Sequence, residues 1–88
     1  MNFSDNNFST INVSQNTALE QLSCEDNLLS SLDVSNNTSL EYFICGDNQL
    51  TNLNVSANTA LTYLGCHANQ LTSLDVSNNI ALEVLSFG

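Results

Sequence analysis

Apolar residues recur along this chain at offsets of three and then two, and an asparagine closes each run. Leu19, Leu22 and Cys24 lead to Asn27; Leu29, Leu32 and Val34 lead to Asn37. The second run returns at Leu50, Leu53, Val55 and Asn58, so the repeat is 21 residues long, the step from Leu29 to Leu50. An offset of two puts side chains on one side of an extended segment. The Leu and Cys or Val positions therefore point inward along a short strand, and the asparagine ends the strand by hydrogen-bonding backbone in the turn and in the next coil. Inward columns such as Leu19/Leu40/Leu61/Leu82 and Ile11/Leu32/Leu53/Leu74 predict coils that bury their apolar edges against one another.

The pattern divides the chain into a partial unit 1–7, units 8–28, 29–49 and 50–70, and a truncated unit 71–88. Phe3, Asp5 and Asn6 fall under Cys24, Asp26 and Asn27, so the first residues already follow the template. The expected fold is a single β-rich solenoid of about four coils with no helices of note. Its parallel strands stack in one or two ladders. Because each unit holds two half-units, strand-like segments are expected on two faces.

Charge changes the picture of what such a coil can bind. Nine Asp and Glu face no Lys or Arg, a formal net charge of -9. Phosphate contacts need cationic side chains, so nucleic acid is excluded as a partner and anionic membrane surfaces are disfavoured. No run approaches the ~18 apolar residues of a membrane span. The segment Met1 to Asp5 has neither the charged nor the apolar region of a secretory signal.

Three cysteines, Cys24, Cys45 and Cys66, share one inward column with Phe3 and Phe87. An odd number cannot close into disulfides within the chain. The column reads as a structural ladder of small buried thiols. His67 follows Cys66, but strand alternation sends the two side chains to opposite sides, and no metal site is expected. The column Ser14/Ser35/Ser56/Ser77 has no accompanying base, and no carboxylate dyad or phosphate loop is present, so the chain is not expected to be an enzyme.

The outward columns are the candidates for binding. Gln21/Tyr42/Tyr63/Val84 and Ser23/Ile44/Gly65/Ser86 form an aromatic and aliphatic strip, rimmed by Glu20, Glu41 and Glu83 on one side and by Asp26 and Asp47 on another. Tyr42, Ile44, Tyr63, Val84, Glu20 and Glu41 are the expected partner-binding residues. No cofactor is expected; Ca²⁺ on the acidic columns is the alternative to a solvated acidic face.

The repeated L-x-x-L-x-C-x-x-N-Q-L-T-x-L-D-V-S-x-N-T segments resemble the short, nested class of bacterial leucine-rich repeats, including the cysteine-containing repeats of internalin-like surface proteins. The resemblance covers essentially all 88 residues. It implies stacked parallel strands, an exposed ladder surface, an extracellular or cell-surface setting, and protein binding as the role. Two departures stand out. The flanking caps of such domains are absent, and the lysines they carry between Ser and Asn are replaced by Gln15, Asn36, Ala57 and Asn78. Uncapped ends are expected to expose Met1 and Phe3 at one edge and Leu82, Leu85 and Phe87 at the other. The chain is then read as an adhesive module of a longer protein or as a subunit stacking head to tail into an extracellular filament.

Overall fold

The computed structural model describes residues 1–87. Among them are four strands, β1 (Gln21–Ser23), β2 (Tyr42–Ile44), β3 (Tyr63–Gly65) and β4 (Val84–Ser86), and no helix. They form one parallel sheet in chain order. Gln21 pairs with Tyr42, Tyr42 with Tyr63 and Tyr63 with Val84, so each step across the sheet is one repeat. The ladder extends toward the N-terminus through an isolated bridge between Asn2 and Ser23.

Each strand is short because the chain leaves it at a fixed point. Two residues beyond the cysteine column the backbone turns left-handed, at Asp5 (φ 59°), Asp26 (φ 58°), Asp47 (φ 53°) and Ala68 (φ 55°). Aspartate tolerates this region better than most residues. Immediately after it, Asn27, Asn48 and Asn69 hold the turn. Asn48 Nδ2 donates to Cys45 O of its own coil and to Cys24 O of the coil before, and its Oδ1 accepts from Leu29 N–H. One buried side chain thus satisfies backbone groups in two coils.

The second of the two possible ladders does not form: the half-unit around Leu32, Leu53 and Leu74 carries no strand. Its backbone groups are taken by side chains instead. Asp33, Asn54 and Asp75 accept the N–H of Ser35, Ser56 and Ser77 at 2.9 Å, the compact turn that Asx residues favour. The carbonyls of Val13, Val34 and Val55 accept from Asn37, Asn58 and Asn79 of the following coil. Single backbone bonds such as Gln49 N to Leu29 O and Gln70 N to Leu50 O connect the coils on this side.

The core lies between the sheet and this turn-built face. Leu22, Phe43 and Leu64, with Leu29, Leu40, Leu50 and Leu61, are fully buried. The same columns open toward the ends: Leu19, Leu71 and Leu82 are only partly buried and Leu85 is 42% exposed. Burial in each column is therefore supplied by the neighbouring coil, as expected for a stack with nearest-neighbour cohesion.

Candidate interaction surface

The sheet presents its outward side chains in register. Tyr42 and Tyr63, paired across β2 and β3, stack with centroids 4.6 Å apart and planes 20° apart. A methyl built at Gly65 would make ordinary contacts, 3.6 Å from Tyr63 Cε1 and 3.9 Å from Ile44 Cγ1, so the glycine leaves the surface beside the stack open without being required by it. Tyr42 is 39% exposed and Val84 46%, while Tyr63 and Ile44 are half-buried. These four residues form one apolar strip across three strands.

Glu20 and Glu41 are exposed at the start of the strands, next to this strip. The Glu column is not continuous. Thr62 occupies it in the third coil and donates Oγ1–H to Glu41 O at 3.1 Å, which separates Glu41 from Glu83. At the other end of the strands the acids gather more closely. Single carboxylate oxygens of Glu25, Asp26 and Asp47 lie within 4.8 Å of one another. Partial desolvation, then the charges of Asp47 and Asp5, raise the Asp26 pKa above its ordinary value.

His67 joins this group, which the sequence reading did not anticipate. Its Nε2 lies 3.6 Å from Asp47 Oδ2. Glu25, Gly46 and His67 share a column, and the His67 ring and carbonyl fill the place of a Gly46 side chain; a methyl there would lie 3.1 Å from His67 O. A glycine beneath a histidine in one column was the available signal. Cys66 is buried and His67 exposed, so the two point apart as strand alternation requires.

Cys24, Cys45 and Cys66 are free and buried, one per coil. Burial, reinforced by Glu25, pushes the Cys24 thiol up to about 12. Burial also raises Cys45, with its two neighbours in the column adding to the effect, and raises Cys66. Thiols held protonated in this way are poor nucleophiles at neutral pH.

At the ends, Met1 is exposed, while Phe3 is half-buried with its ring edge-on to Phe8 at 6.2 Å. Leu82 is partly buried, and Leu85 and Phe87 are 42% and 43% exposed. Such edges look the same whether a further coil or a second copy covers them. The turn-built face offers two open grooves of about 300 Å³, lined by residues such as Leu53, Asn54, Ser56 and Asp75. Several of its polar atoms are engaged within the face itself, as in Ser35 Oγ to Asp33 at 2.6 Å, Ser56 Oγ to Asn54 at 2.7 Å and Asn36 Nδ2 to Ser14 O of the preceding coil.

The fold is a leucine-rich-repeat solenoid, and its cysteine-containing repeats are of the internalin-like kind. Among solved structures the chain is similar to the functional domain of InlJ from Listeria monocytogenes, which includes a cysteine ladder. The two share 40% identity with a TM-score of 0.91, over 93% of this chain and 18% of that one. The chain thus spans less than a fifth of the InlJ domain's length. No family model and no curated protein sequence matches the chain.

Proposed function

We propose that the chain is a protein-binding, adhesive module of a secreted or cell-surface bacterial protein, and that it recognises its partner through the strand face. The observation that carries this reading is the Tyr42–Tyr63 stack, exposed beside Ile44 and Val84 on a flat parallel sheet. Aromatic groups held rigid by cross-strand packing lose little entropy on binding and are favoured at interface centres. The likeness to the InlJ domain supports a surface-protein setting. No helix among the described residues is long and apolar enough to cross a membrane.

A panel of immobilised extracellular proteins, probed with the purified chain, tests the reading. Any partner found is then challenged with two variants. Tyr42→Ser with Tyr63→Ser is expected to abolish binding, whereas Ser56→Ala with Ser77→Ala on the turn-built face is expected to preserve it. The reverse pattern would overturn the proposal.

A further inference from the structure

We infer that the strand face takes a cationic protein segment, with an arginine against the outer face of Tyr42 in the Tyr42–Tyr63 stack and basic residues meeting the acids at both ends of the strands. The inference rests on the strand face being the docking surface and adds the chemistry of the partner.

Charge complementarity is the first argument. The chain has no Lys or Arg, so no basic side chain other than His67 can compensate its nine acids from within. His67 stands at one end only, against Asp47. Glu20 and Glu41 at the other end have no cationic side chain of this molecule to meet. Like charges in one column on neighbouring strands, whose backbones lie ~4.8 Å apart, repel one another. A basic segment relieves that repulsion on binding, which a neutral or acidic one does not.

The layout gives the second argument. Along the second coil the outward residues run Glu41, Tyr42, Ile44 and Asp47, acid at each end and apolar between. The seven residues from Glu41 to Asp47 span at most about 20 Å. An extended segment with basic residues near its two ends matches that length. In the middle, each ring of the stack has one face against the other ring and keeps one outer, electron-rich face, that of the exposed Tyr42 lying on the side of Gln21. A guanidinium suits such a platform better than an ammonium, because it is planar and weakly hydrated and stacks on the ring while its edge donates to nearby carboxylates.

The test uses the isotope-labelled chain and a blocked seven-residue peptide with arginine at its centre, lysine at both ends and serine between. Amide shift changes are expected at residues 20–23, 41–47 and 62–67. Replacing the central arginine by lysine should weaken binding several-fold. Tyr42→Leu with Tyr63→Leu, which keeps apolar contact on the sheet but removes the ring faces, should weaken it about tenfold. Glu20→Gln with Glu41→Gln should have a similar effect, and melting curves confirm that each variant folds. Equal binding at the tyrosines by a neutral leucine-centred peptide or an oligosaccharide overturns the cation inference and leaves the docking face standing. Shifts spread over all acidic columns and unchanged by the Tyr→Leu pair overturn it as unspecific charge attraction, and so does the absence of shifts.

Discussion

At the scale of single residues, the repeat makes exceptions informative. The left-handed position holds aspartate three times and Ala68 once. Alanine has no side-chain oxygen to compensate that backbone state, whereas asparagine adopts it readily. Ala68→Asn should therefore stabilise the chain by about 0.5–1 kcal/mol, read from denaturant unfolding. Asparagine is the informative choice because aspartate would also add charge next to Asp47. The cysteines make a second point at this scale. Their thiols are buried and held protonated. Alkylation at neutral pH should proceed only as fast as the coil opens, and denaturant should accelerate it by orders of magnitude. Rapid labelling of Cys45 in the native state would contradict this packing.

At the scale of elements, two asparagine columns connect the coils, and their members differ from the exposed asparagines beside them. Asn58 is fully buried, and its Nδ2 donates to Val34 O and Asn37 O, both at 2.9 Å. Asn36 is exposed and makes one 3.2 Å bond to Ser14 O. Asn58→Ala should cost about 1–3 kcal/mol, since it removes two buried hydrogen bonds to carbonyls that then keep only their backbone partners, Asn37 N and Leu40 N, while Asn36→Ala should change stability by less than about 0.5 kcal/mol. Much of this architecture was legible in the sequence. Period and inward columns repeat in every coil, so the alignment of Leu22 with Phe43 and Leu64 fixes both strand register and core. Whether one ladder or two would form stays open in the sequence, because the offset pattern of Leu32 and Val34 looks the same whether backbone or side chains take the hydrogen bonds. Only the geometry shows Asp33 capturing the Ser35 amide. The approach of His67 to Asp47 was hidden for a different reason: its column, Glu25/Gly46/His67, has no residue type in common from coil to coil.

At the scale of the whole molecule, charge governs how stability responds to pH. Asp26 has a folded pKa above its ordinary 3.8, so the folded state takes up that proton first and gains stability as pH falls toward 3.8. Relief of the self-repulsion of nine uncompensated acids acts in the same direction. Asp33 and Asp75 have folded pKa values below 3.8, lowered by hydrogen bonds from Ser35 and Ser77. Their contribution is complete above 3.8 and is lost as pH falls further through the lowered values. Melting temperature should therefore peak near pH ~4 and fall on both sides, most clearly at low ionic strength. A monotonic rise from acid to neutral pH would contradict this balance.

The same solenoid has a strand face built of rings and acids and a turn-built face of Asx and Ser side chains, several of them bonded to one another. Which face carries binding is the central claim, and hydrogen exchange of the chain with and without a bound partner measures it most directly. Protection is expected along residues 20–25, 41–47 and 62–67, with the turns at 33–36, 54–57 and 75–78 unchanged. Protection centred on those turns, with the strands unaffected, would contradict the account.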